Sequence, residues 1–288
     1  MAIGFDADNS EYAYGDCPGC KGMARFTISC WVRFDGLPGY APLFVVLSTG
    51  DSTWDVLVDY NALPQGFRCL VRSNSGYGYT TGGTSAYQLG RLYHVVARYD
   101  DTGDRKVDIF LDGREDTPYA QEVAVSGTKS AANGSVVIGA RKYTLVYKLD
   151  GSLQEIAVWN KCLSDEQIGW LRSAGQPTTR LPLTIEPANL QLYLPCEDYR
   201  AGVDYLTVRD RSANGYTLAG VNTPTGVADG VATLGGGPLS VIAIPWFACD
   251  ADIDRLELGV ARRLAAAAAG EPIWAAHTPE LTISRRNF

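Results

Sequence analysis

The chain has 288 residues, 46% of them apolar, enough to bury a large core without disulfides or a structural metal. Its net charge of -7 and pI of about 4.9, with no run of about five basic residues, exclude a phosphate-tracking surface, so no nucleic-acid partner is expected. No apolar run approaches the roughly 20 residues of a membrane span, so no membrane insertion is expected, and the opening MAIGFDADNS lacks the basic start and apolar core of a secretory leader. The expectation is a mature fragment, or a protein kept in the cytosol until its cell breaks open.

Strand signals recur at residues 3–5, 11–14, 26–34, 43–47, 54–60, 67–72, 77–81, 92–99, 107–111, 136–140 and 153–159, with Gly, Asn and Asp marking turns between them. Within 26–34, Phe26, Ile28, Cys30, Val32 and Phe34 share one face while Thr27, Ser29, Trp31 and Arg33 share the other, which predicts one face turned inward. Residues 152–159 alternate too, with Leu153, Glu155, Ala157 and Trp159 on one side and Ser152, Gln154, Ile156 and Val158 on the other. So many short strands predict an all-β sandwich.

A helix start follows at once. Ser164 is the N-cap, Gln167 completes a capping box, Leu163 is stapled to Ile168, and Asp165 and Glu166 lie at the positive end of the helix dipole. The helix is expected to stop near Gly175, ahead of Pro177. A Pro- and Thr-rich connector over 176–187 leads to an apolar run at 190–195 and to a turn-rich segment at 208–220. Residues 1–221 therefore read as one β domain. Residues 222–288 read as an arm made of a Gly-rich linker, an amphipathic helix over 252–269 and a tail. On that helix Ile253, Leu256, Val260 and Leu264 form an apolar stripe, Arg262 and Arg263 lie late, and Gly270 and Pro272 end it. An isolated helix of this length is marginal, so its stripe is expected to dock on this chain or on a neighbouring subunit.

The segment LDGSLQEIAVWNKCLSDEQIGWL at 149–171 resembles the closing strand and helix of LamG-like jelly rolls in the concanavalin A-like lectin and glucanase superfamily. FTISCWVRFDG at 26–36, RLYHVVARYD at 91–100, KVDIFLDG at 106–113 and the opening IGFDADNSEYAYG are similar to other strands of that family, in the family's order. The resemblance implies a LamG-like, concanavalin A-like jelly-roll sandwich, here followed by the arm with its short helix. It also implies chemistry to look for. Glucanases of this family carry Glu, Asp and Glu at alternate strand positions, whereas the closing strand here offers Glu155 without a second acid, and one carboxylate cannot run a two-carboxylate hydrolysis. The chain is accordingly expected not to be an enzyme.

Other chemical signals are sparse. His94 lies in a strand and reads as a core residue, and His277 lies in the tail. Neither belongs to a nucleophile motif. The seven cysteines are odd in number and unpaired in spacing. Cys17 and Cys20 read as a tight turn with two thiols rather than half a zinc site, and Cys30 and Cys69 as small core residues. Calcium is the candidate cofactor. The family often holds it between the first hairpin and the closing strand, which points to Asp6, Asp8, Asp150 and Glu155 with Glu11 nearby, although Gln154 stands where an Asp is common. The alternative is that Asp6, Asp8 and Asp150 serve turns through their own backbone. Tyr77, Tyr79 and Tyr87 form the densest aromatic group and are the candidate ligand surface, with strand packing the competing role.

Two functions follow as expectations. The first is a structural component of a phage virion, such as a capsid decoration, head fibre or tail protein, made in the host cytosol. It would contact other virion subunits, or itself as a homo-oligomer, through the C-terminal arm. The second is an extracellular or cell-surface adhesion module that binds carbohydrate with calcium, its partners being surface glycans.

Overall fold

The computed structural model describes residues 2–36, 39–48, 54–84, 87–130, 132–141, 147–172, 182–196, 207–222 and 224–227. In chain order the strands are β1 Ala2–Phe5, β2 Tyr12–Asp16, β3 Arg25–Phe34, β4 Tyr40–Ser48, β5 Trp54–Ala62, β6 Gln65–Ser73, β7 Gly76–Thr81, β8 Leu92–Asp100 and β9 Val107–Leu111. They continue with β10 Arg114–Glu115, β11 Gln121–Val123, β12 Ala132–Ile138, β13 Gly151–Trp159, helix α1 Asp165–Leu171, and β14 Leu190–Leu194, β15 Thr207–Arg209, β16 Thr217–Val221 and β17 Thr225–Val227. All pairings between them are antiparallel. They form two sheets, an eight-stranded one in the order β10-β9-β8-β3-β13-β1-β17 with β14 also on β13, and a nine-stranded one in the order β11-β7-β6-β5-β4-β12-β2-β16-β15. This is the expected jelly-roll sandwich. β17 lies past residue 221 and pairs with β1, so part of the segment read as linker adds a strand to the first sheet.

The core between the sheets is filled as the period-two pattern requires. Phe26, Ile28, Cys30, Val32 and Phe34 of β3 are buried in it, facing Val56, Val58 and Tyr60 of β5 and Phe67, Cys69 and Val71 of β6 within one cluster. Fully burying a side chain such as Phe26 stabilises by about 2–3 kcal/mol on area grounds. Burial pushes the Cys30 thiol up to about 12 and the Cys69 thiol higher still, so both are inert apolar residues.

The alternation expected along 152–159 breaks in its middle. The β13–β3 register shifts between Gln154 and Ala157, and Glu155 takes a left-handed backbone with φ of 51°. This bulge inserts one residue, so Leu153, Ile156 and Val158 face the core while Ala157 and Trp159 face outward. At the strand's start Gly151, at φ 152°, passes so close to the Arg33 carbonyl that a Cβ would collide with it.

Trp159 anchors a second cluster on the outer face of the eight-stranded sheet, where Leu163, Ile168 and Leu171 cover it together with Ile185. The capping box forms as read, with the Gln167 N–H donating to Ser164 Oγ at 3.2 Å and the Ser164 N–H donating to Gln167 Oε1 at 3.0 Å. The regular helix ends at Leu171, short of Gly175, which lies outside the described residues. The expected arm helix, with Ile253, Leu256, Val260 and Leu264, also lies outside them.

Candidate functional site

The outer face of the nine-stranded sheet is built on one cross-strand rung. Val123, Tyr79, Leu70, Leu57, Val45, Val137, Tyr14, Ala219 and Thr207 are successive register partners from β11 to β15. Its centre is apolar. Val45, Leu47, Leu57, Leu70 and Val137 form a buried floor, and half-buried Tyr12, Tyr14, Trp54 and Tyr79 pack against it. Beside this rung lies a polar one, in which Thr81, Arg68 and Asp59 are register partners.

Asp59 and Arg68 make a bidentate pair, with Arg68 Nε donating to one carboxylate oxygen at 3.0 Å and Nη2 to the other at 2.7 Å. Burial nevertheless pushes the Asp59 carboxyl up to about 6, because the Arg68 bonds only partly offset its desolvation. Aromatic rings and guanidinium groups then continue across the face. Arg68 lies 5.5 Å from the Tyr40 ring, Tyr40 meets Tyr147 edge-on at 5.1 Å, and Arg141 lies 5.4 Å from Tyr147 and 6.0 Å from Trp54. Trp54 meets Tyr77 at 5.9 Å, and Tyr77 meets Tyr79 at 6.0 Å. The result is a ribbon of flat π-faces and planar cations. Its most open rings are Tyr77, 55% exposed, and Tyr40, 37% exposed. Such surfaces stack on the C–H faces of sugar rings, while the guanidinium N–H groups remain able to donate to hydroxyls.

Tyr77 and Tyr79 are therefore together on this face, but Tyr87 is not. Tyr87 is buried in the central core, its ring against Tyr60, Phe67 and Tyr93 and its hydroxyl accepting the Phe67 N–H at 3.3 Å. The Gly- and Ser-rich stretch that joined the three tyrosines in sequence leaves the sheet after Thr81, which returns Tyr87 to the interior. Tyr40, Trp54, Tyr147 and Arg141 were missed because they are distant in sequence, and Arg68 because it joins the face through the pairing of β6 with β7. One signal for them existed: Asp55, Leu57 and Asp59 alternate with core residues Val56, Val58 and Tyr60, which places two acids on an outward face.

The proposed calcium ligands divide in the same way. Asp6, Asp8 and Asp35 lie near enough to Asp150 to act with burial in raising its carboxyl. Asp6, however, serves its own turn, accepting the Asp8 N–H at 2.8 Å and the Asn9 side-chain amide at 2.9 Å, while Glu11 accepts the Asp6 N–H at 2.8 Å. Glu155 is not part of this group. The bulge brings it to the β14 side, where the Tyr193 hydroxyl donates to it at 2.7 Å. Among the described residues no three His, Cys, Asp or Glu side chains converge as a metal site requires.

Cys17 and Cys20 are buried on a one-turn helix over Pro18–Cys20. His94 is buried beside Trp31, its Nε2 2.9 Å from Ser29 Oγ, and burial lowers it to about 3, so it is neutral. Its Nδ1 has no hydrogen-bond partner, so no acid orients it as a catalytic base would need.

A family model and one solved structure agree with this architecture. No curated protein matches the sequence. Among solved structures, a candidate carbohydrate-binding protein from Bacteroides ovatus is similar at 15% identity and a TM-score of 0.54, over 80% of this chain and 60% of that one. This chain thus spans about 60% of the length of that neighbour. The heptameric SAP-like pentraxin from Limulus polyphemus is similar at 16% identity and a TM-score of 0.45, over 60% of this chain and 80% of that one. The fourth and fifth LG domains of the mouse laminin alpha1 chain are similar at 14% identity and a TM-score of 0.44, over 57% of this chain and 43% of theirs. A laminin-G family model covers residues 9–169, more than half of the sequence, and the chain belongs to the concanavalin A-like lectin/glucanases superfamily that it describes.

Proposed function

We propose that the protein is a non-enzymatic glycan-binding module of the adhesion type, and that its ligand lies on the outer face of the nine-stranded sheet. The observation that carries this reading is the ribbon from Arg68 through Tyr40, Tyr147, Arg141 and Trp54 to Tyr77 and Tyr79, two of whose rings, Trp54 and Tyr79, pack on the buried apolar floor. Aromatic rings anchor a sugar by stacking, and donors on the same face fix its hydroxyls. The Bacteroides ovatus neighbour supports the fold of such a module and, at 15% identity, nothing finer.

The test is a titration of wild type, Trp54→Ala and Tyr77→Ala with saccharides selected from a glycan array. Each substitution is expected to weaken binding by about tenfold, the scale of one lost interface anchor. Unchanged affinity in both variants, or an array with no bound saccharide, rejects the reading.

A second reading makes the module a virion component, displayed on a head or tail. Its support is the apolar stripe of Ile253, Leu256, Val260 and Leu264 in the arm. Deleting residues 228–288, which leaves β17 in place on β1, is then expected to abolish assembly while the sandwich stays folded. Full assembly of the truncated chain rejects it.

A further inference from the structure

Arg141 stands in the ribbon without an acid of its own. Its guanidinium lies between the rings of Trp54 and Tyr147, at 6.0 and 5.4 Å, and among the described residues no carboxylate pairs with it. Three other half-buried arginines are held by acids: Arg68 by Asp59, Arg98 by Asp108 and Asp165, and Arg105 by Asp101. Asp59 acts on Arg141 electrostatically, yet both its oxygens are already taken by Arg68.

A guanidinium flanked by ring faces is oriented by them, while its N–H donors point outward in its own plane. Those donors match the paired oxygens of a carboxylate or sulfate, which would accept two bonds at once. The location fits a ligand as well as the chemistry does. Arg141 and Tyr147 are joined by a backbone hydrogen bond of 3.2 Å, and Tyr147 continues to the exposed Tyr40, so cation and stacking surface are fixed together. Burial lowers Arg141 from its ordinary value, a desolvation cost that an anion bound there would offset.

We propose that Arg141 is a specificity residue of this face, and that the saccharide it takes carries an anionic carboxylate or sulfate group. This rests on the glycan reading above. It makes the aromatic rings responsible for general affinity and Arg141 responsible for the choice between acidic and neutral sugars.

The experiment is calorimetric titration of the full chain with a galacturonate tetramer, its carboxyl-reduced neutral counterpart, and a sulfated galactose tetramer. Wild type is expected to bind one of the two anionic forms about tenfold tighter than the neutral one, and added salt is expected to shrink that margin. Arg141→Gln is expected to remove the margin, so that anionic and neutral tetramers bind alike, and Arg141→Lys, which keeps the charge without the planar fork, to retain part of it. Matching thermal melts for the three proteins exclude misfolding as the cause. Equal binding of acidic and neutral tetramers, or a margin that survives in Arg141→Gln, overturns the role of Arg141 and leaves the glycan reading intact. A chain that binds none of the three tetramers overturns the proposal, and the array and Trp54 experiments then decide the broader reading separately.

Discussion

The two outer faces of the sandwich meet the same problem in different ways. Each sheet presents apolar side chains away from the core. On the eight-stranded sheet the chain covers them itself: Trp159 is fully buried, its Nε1 donates to the Ile185 carbonyl at 2.8 Å, and Leu163, Ile168 and Leu171 close over the cluster. Arg98 fastens this cover, bonding Asp108, Asp165 and the Leu163 carbonyl. On the nine-stranded sheet the floor is edged by the half-buried rings of Tyr12, Tyr14, Trp54 and Tyr79. A face closed by its own helix gains stability. A face edged with half-exposed aromatics keeps surface for a ligand.

Stability measurements can break this contrast. Trp159→Ala is expected to cost about 4 kcal/mol in chemical denaturation, the scale of a large aromatic removed from a packed site. A cost below about 1 kcal/mol would mean that the helix-covered face is not part of the folded core.

The pH response separates the faces next, through one fully buried group on each. His94, on the eight-stranded sheet, has a folded value of about 3 against an ordinary 6.5, so its contribution is complete above pH 6.5 and is lost as pH falls toward 3. Asp59, on the nine-stranded sheet, has a folded value of about 6 against 3.8, so its burial cost is greatest above pH 6 and is relieved as pH falls toward 3.8. Between pH 6 and 4 the two nearly cancel. Relative to wild type, Asp59→Asn should lose about 3 kcal/mol across that window and His94→Gln should gain about 3 kcal/mol. Parallel stability profiles in all three proteins would mean that neither group is buried as described.

Smaller effects follow. Ser164→Ala removes the acceptor of the capping box and is expected to cost about 1 kcal/mol in denaturation. Tyr77→Ala is expected to change stability by no more than about 0.5 kcal/mol, since the ring is 55% exposed, while weakening saccharide binding. A larger stability loss would class Tyr77 with the walls of the fold.

The parts of the fold with local causes were legible in the sequence. β3 alternates without interruption, and Ser164 and Gln167 lie at the spacing a capping box needs, so both elements form as read. β13 was misread because a bulge has no compositional mark here: Glu155 adopts the left-handed backbone that glycine would have signalled. The site was half legible. Tyr77 and Tyr79 are neighbours in sequence, but Arg68, Arg141 and Trp54 meet them only through sheet order, which antiparallel pairing decides and residue spacing does not. Tyr87 failed for the converse reason, being near in sequence and on the opposite side of the sheet.

The most direct test of the central claim is a hydrogen-exchange footprint of the full chain with and without a saturating array-selected saccharide. Protection is predicted in peptides carrying Trp54, Tyr77, Tyr79 and Arg141, with none at α1. Protection confined to α1, or to the first hairpin around Asp6 and Glu11, would contradict it.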